Sequence, residues 1–195
     1  MRTRVSSPAA PCVAAAAAVA IATMMVTALT GCASTPTEPV SDRLDAQTAT
    51  TVTVMQAPVE LVSETPRGGN VGDPFAYFAP FETDRMGERE LYLWISAPQI
   101  NGPLAIPKVS CDGQALSLQA VSGDLTEFKL SRPPYTVPAP WSGQWYFKLP
   151  QASMACLSSA QGITLETQAA QGGTEPERFS ASGKALAALE AFARR

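Results

Sequence analysis

Four cysteines, no histidine and one cluster of carboxylates set the range of chemistry open to this chain. The absence of histidine removes the commonest general base, the Ser-His-Asp and Cys-His arrangements and most zinc sites. Gly183-Lys184 is followed by Ala185, and Arg178 stands where a phosphate-binding loop needs its first glycine, so that motif fails too. Two groups remain to be weighed. Glu82, Asp84, Glu88 and Glu90 are of the types that ligate calcium or form a carboxylate acid–base pair. Arg85 and Arg89 alternate with them and no calcium-loop spacing occurs, which favours a solvated, charge-balanced turn. The second group is Tyr92, Trp94, Tyr135, Trp141, Trp145 and Tyr146, whose rings suit a packed β core or a platform for a protein, sugar or lipid partner. Core packing accounts for most of them. Trp141, inside Pro138-Ala139-Pro140-Trp141-Ser142-Gly143, is the least core-like, and with Tyr135 it is the contact candidate, because the prolines hold this stretch extended and outside a sheet.

At the start of the chain, Arg2 and Arg4 precede an uncharged, Ala-rich run from Cys12 to Thr30, a basic n-region followed by an apolar h-region. A signal anchor is the alternative, but the run is weakly hydrophobic and ends at a small-small-Cys site rather than a basic flank. That site, Leu29-Thr30-Gly31-Cys32, resembles the lipobox of bacterial lipoproteins. The resemblance implies that residues 1–31 are a cleaved signal peptide and that Cys32 carries the lipid that makes the membrane a partner. Two or three acyl chains anchor firmly, since each buried CH₂ contributes about 0.8 kcal/mol. By the same resemblance, Ala33 after the lipidated cysteine, in place of Asp, points to the outer membrane, facing the periplasm.

With Cys12 in the signal and Cys32 taking the lipid, Cys111 and Cys156 are the thiols left in an exported domain. In an oxidising compartment the simplest outcome is a disulfide, two separate buried thiols being the alternative. Beyond position 31 the 14 basic residues lose Arg2 and Arg4 while all 17 acidic ones remain, so the net charge is 12 − 17 = −5. A mildly acidic surface offers no footprint for nucleic acid.

The elements that must position these groups follow from the hydrophobic pattern. Residues 32–47 are polar with Pro36 and Pro39 and read as a lipidated, flexible tether, leaving 48–195 as one β-rich periplasmic domain. Thr50 to Met55 and Val59 to Val62 read as strands, and Glu64 to Pro74 as a Gly/Pro loop. Phe75 to Phe81 and Glu88 to Ile95 form the arms of a hairpin turning over Thr83 to Gly87, with Leu91, Leu93 and Ile95 on one face and Tyr92 and Trp94 on a second, at least half-covered face. Asp112-Gly113 between Lys108–Cys111 and Gln114–Leu118 signals a type I′ turn. Leu125 to Leu130, Gly143 to Leu149, Ile163 to Ala169 and Glu177 to Ser182 complete a set of about nine strands. Ala185 to Arg195 reads as a helix with Leu186, Leu189 and Phe192 in one stripe and Ser182 as N-cap. The expectation is an antiparallel β-sandwich or small barrel, of which the immunoglobulin-like arrangement is one form, with a C-terminal α-helix.

The stretch Met86 to Trp94, with Thr50 to Val54, resembles short proteobacterial envelope lipoproteins of unknown function over about 45 residues, which supplies an address and no activity. The expected function is a non-enzymatic, membrane-anchored module, without cofactor or metal, that binds another envelope protein. A glycan- or lipid-binding lipoprotein would instead show an aromatic-lined groove. A carboxylate-only hydrolase would show a buried pair with raised pKa.

Overall fold

The chain first extends at Val40–Asp45 (β1), inside the stretch expected to be a tether. Val40 and Asp45 are buried, and β1 pairs antiparallel along its whole length with Thr50–Met55 (β2). The tether is therefore corrected: residues 40–47 belong to the folded domain. The misreading has a physical cause, since an edge strand needs few apolar residues and tolerates charge, and Ser41, Asp42 and Arg43 look like linker when read alone.

This computed structural model describes residues 38–65, 74–99, 102–137, 139–170 and 175–195. Leu29-Thr30-Gly31 and Cys32, with the expected signal and lipidation site, lie outside them. The remaining strands are Val59–Ser63 (β3), Phe75–Arg85 (β4), Glu88–Pro98 (β5), Lys108–Cys111 (β6), Gln114–Ala115 (β7), Gln119–Val121 (β8), Ser142–Lys148 (β9), Gly162–Thr167 (β10) and Glu177–Ser182 (β11). All pair antiparallel in one curled sheet, a half-barrel of order β7-β6-β10-β11-β3-β4-β5-β9-β8. The expected fold class, mostly antiparallel β with a C-terminal helix, is what the structure has.

The long strand β4 organises the sheet. Its first half pairs with β3 and its second half with β2, so β2 and β3 act as one strand broken at Gln56-Ala57-Pro58, with β1 outside one half and β11 outside the other. The β4–β5 hairpin closes over two residues, Met86 and Gly87, both at positive φ (57° and 87°), which shortens the expected five-residue turn. Asp112 and Gly113 likewise sit at 47° and 81°, the backbone of the expected type I′ turn.

Both faces of β5 are covered: Tyr92, Leu93, Trp94 and Ile95 are all buried. Gln151–Ser159 (α1), a 3₁₀ turn at Gly183–Leu186 and Ala187–Ala193 (α2) pack on one side, burying Met154, Leu157, Leu186, Leu189 and Phe192. Helix α1 has no counterpart in the sequence reading; it has no side-chain cap and no charge placed for its dipole, so no end signal announces it. Ser182 does precede the 3₁₀ turn but makes no side-chain capping bond.

Leu125 to Leu130 is a second correction. The segment is a chain of turns, with Glu127 N–H donating to Asp124 O (3.0 Å), Lys129 N–H to Thr126 O (3.1 Å) and Leu130 N–H to Leu125 O (2.9 Å). Asp124 starts it by accepting from Thr126 N–H (3.0 Å), the local bond that lets Asp compete with a strand. From here to Thr136 the chain lies over the Tyr92–Trp94 face of the sheet, inserting Phe128 and Tyr135.

That covering segment is pinned from β1 and β2. Asp45 accepts from Ser131 N–H (2.7 Å) and Ser131 Oγ (2.8 Å), Thr50 Oγ1 donates to Lys129 O (2.8 Å), and Arg43 Nη2 donates to Pro133 O (2.8 Å). The Ser131 backbone and hydroxyl bonds hold the Asp45 carboxyl below its ordinary value of 3.8, against the opposing effect of burial. A carboxylate with a depressed folded pKa stabilises above its unfolded pKa and loses that contribution as pH falls through the folded one. We predict that Asp45→Asn lowers the melting temperature at neutral pH and that the wild-type and variant curves converge below about pH 4. A gap between the two that is constant with pH would show that the charge has no part.

Candidate functional site

The aromatic group divides sharply on placement. Tyr92 and Trp94 on β5 and Tyr146 on β9 point to the covered face, because Trp94 stands opposite Tyr146 and Tyr92 opposite Phe81. Phe81 stacks on Tyr92 (5.1 Å between centroids, 19°), Phe128 meets Tyr92 edge-on (4.9 Å, 77°), and Trp94 stacks on Tyr135 (5.1 Å, 29°). Trp94 Nε1 donates to Gln144 Oε1 (3.0 Å). These rings are core, as most of the group was expected to be.

Tyr135 must be corrected as a contact candidate. It is 7% exposed, and its hydroxyl donates to Pro80 O while accepting from Met55 N–H (3.1 Å). Burial raises its pKa, so it stays a neutral phenol, a structural hydrogen-bonding group turned inward. A Pro-flanked tyrosine in an irregular stretch resembles a surface anchor in sequence; only the fold of that stretch over the sheet buries it.

Trp141 is the opposite case, 63% exposed at the entry to β9. Its backbone is fixed although its ring is free: Trp141 O accepts from Gln99 N–H (3.0 Å), Ser142 N–H donates to Ala139 O (3.0 Å), and Ser142 pairs with Pro98. Two residues on, Gly143 is buried, and a Cβ there would lie 2.6 Å from Trp145 Cη2 and would collide with Gln99 Nε2. The missing side chain is what lets the half-buried Trp145 ring and the Gln99 amide seat the loop this closely. Pro138 lies outside the described residues.

The hairpin carboxylates are all matched by cations. Arg89 reaches Asp84 (3.1 Å) and Glu82 (3.7 Å), Lys129 reaches Glu88 (3.0 Å) and Glu90 (3.8 Å), and Lys148 reaches Glu90 (3.4 Å). For Glu90, partial burial is the largest single influence and raises the pKa, but hydrogen bonds from Tyr92 and Lys148 and the charges of Lys148 and Lys129 together outweigh it and lower the value. Among the described residues no group of His, Cys, Asp or Glu is arranged to hold a metal ion. Sequence alternation with Arg85 and Arg89 signalled part of this balance; Lys129 and Lys148 come from distant segments and could not be read from it.

Cys111 on β6 and Cys156 on α1 are bonded as a disulfide, with Cα atoms 6.4 Å apart across 45 positions. The bridge ties α1 to the β6 side of the sheet. Compared with known proteins, the chain matches no family model, no curated protein and no solved structure.

Proposed function

We propose that this protein is a lipid-anchored envelope lipoprotein, non-enzymatic, whose β domain binds another envelope protein through the loop that carries Trp141. The observation that supports the binding role is the 63% exposed indole on a backbone fixed at both ends. Tryptophans are the commonest interface hot spots, and a preorganised loop loses little entropy on binding. The anchoring half of the proposal rests on Leu29-Thr30-Gly31-Cys32 and Arg2/Arg4, and Ala33, in place of Asp, supports an outer-membrane anchor facing the periplasm.

Trp141→Ala is expected to leave thermal stability within about 0.5 kcal/mol and to abolish crosslinking to the partner in the native envelope, the loss of an anchor commonly costing 2 kcal/mol or more in binding. A large stability loss would return the ring to a packing role, and an unchanged crosslink pattern would remove it from the contact. Cys32→Ala is expected to leave an uncleaved, unlipidated precursor. Processing of the wild type to the same mature size in the presence of globomycin would remove the anchoring half of the proposal.

A further inference from the structure

Alternation along β1 puts Ser41, Arg43 and Asp45 on the face of the sheet that residues 125–136 cover, since Ser41 stands opposite Val54 and Val54 opposite Phe81. Beside the strand break at Gln56-Ala57-Pro58, the sheet and the covering segment leave a cleft of about 380 Å³ between them. That is at the small end of ligand clefts, roughly 300–1,000 Å³. Val54 and Pro134 form parts of opposite walls, and Ser41, Arg43, Gln56 and Thr136 bring polar side chains to it.

Among the described residues, Arg43 is the one charged side chain lining this cleft, and no carboxylate lines it. Its position is fixed without its charge being cancelled. Nη2 donates to Pro133 O (2.8 Å) and Pro134 O (3.3 Å), two neutral carbonyls. Arg89, Lys129, Lys148, Arg178, Arg194 and Arg195 each meet a carboxylate instead. Asp45, the acid two residues along on the same face of β1, is turned to Ser131. Arg43 Nε and Nη1 have no protein acceptor among the described residues, and the side chains of Ser41, Gln56 and Thr136 have no protein partner there either.

A guanidinium held by neutral carbonyls, with spare N–H groups and two hydroxyls and an amide around it, offers charge-assisted hydrogen bonds to an anion. One cation in an acidic chain balances a single negative charge, and falls short of the roughly −1.5 to −2 carried by a phosphate monoester. We propose that this cleft binds a singly charged carboxylate, that of a small organic acid or of a peptide C-terminus. Trp141 does not line it, so the site stands apart from the binding role of the Trp141 loop.

The test is titration of the full-length protein in detergent with lactate, with N-acetyl-alanyl-alanine and with the C-terminal amide of that peptide, read from the NMR signals of Arg43 Nε–H and the Gln56 side chain. Saturable shifts are expected for at least one of the two acids and none for the amide, the tighter acid telling which source the carboxylate comes from. Arg43→Gln should weaken binding about tenfold or more, while Arg43→Lys, which keeps the charge, should retain part of it. Because Arg43 also pins the covering segment, Gln56→Glu is the second variant. Gln56 is exposed, its side chain holds no bond, and the new carboxylate would occupy the anion's place, so binding should be lost with thermal stability unchanged. Trp141→Ala should bind as the wild type does. Four results would overturn the inference: no saturable binding of either acid at about 10 mM, well above a millimolar dissociation constant; equal binding of the amide; binding indifferent to Gln56→Glu; or tighter binding of inorganic phosphate than of either acid.

Discussion

Replacing Cys111 and Cys156 together by alanine is expected to lower the unfolding free energy by about 4 kcal/mol, because a bridge across 45 positions removes that much chain entropy from the unfolded state. The loss should also be uneven. Helix α1 has nine residues, Pro150 at its N-cap without a side-chain bond, and no charge placed for its dipole, so it is too short and too poorly capped to persist alone. It is held by Met154 and Leu157 beneath and by Cys156 at its side. Hydrogen exchange at residues 151–159 should therefore accelerate in the double variant well before β4 and β5 lose protection. Denaturant unfolding of the oxidised protein and the Cys111→Ala, Cys156→Ala variant measures the first effect. A difference under about 1 kcal/mol would show that the bridge joins groups already fixed in the unfolded chain.

Tyr135→Ala is expected to cost about 3–5 kcal/mol and Tyr135→Phe about 1–3 kcal/mol, a large effect for the removal of one oxygen. The reason lies in the ladder between β2 and β4. Pairing ends with Val54 opposite Phe81, and the next pair in register would be Met55 and Pro80. Proline has no N–H to give, and the strand breaks just beyond, at Gln56-Ala57-Pro58. The Tyr135 hydroxyl occupies that gap, taking the Met55 N–H and passing a hydrogen bond on to the Pro80 carbonyl. With phenylalanine both backbone groups are left buried and unpaired. The alanine variant loses in addition the stacking on Trp94 and the edge contact with Phe81 (6.4 Å, 78°). Equilibrium unfolding of the two variants separates the terms. A phenylalanine variant within about 0.5 kcal/mol of wild type would show that the hydroxyl does not carry the ladder at this point.

How far the fold was legible depended on whether a segment's neighbours in sequence are also its neighbours in space. The β4–β5 hairpin could be read because period-two alternation and Met86-Gly87 are local signals, and Asp112-Gly113 worked in the same way. The stripe Leu186, Leu189 and Phe192 likewise placed the last helix. Strand β1 was missed because what makes it a strand is β2, and α1 because its stabilising contacts are Cys111 and helix α2, both distant in sequence. Leu125 to Leu130 looked extended since its apolar residues, Phe128 and Leu130 among them, are there to cover a sheet rather than to join one.

By itself the sequence determined the antiparallel β class, the pair of cysteines available for a bridge, the turn chemistry and the absence of histidine-based catalysis, all properties of residue type and short-range backbone preference. Tertiary structure alone decided that Tyr135 is sealed in the core while Trp141, six positions later, is exposed, and that Ser41, Arg43, Gln56 and Thr136 line one cleft. Burial and proximity are set by strand register across long separations, and in a sheet a shift of one residue moves a side chain to the opposite face.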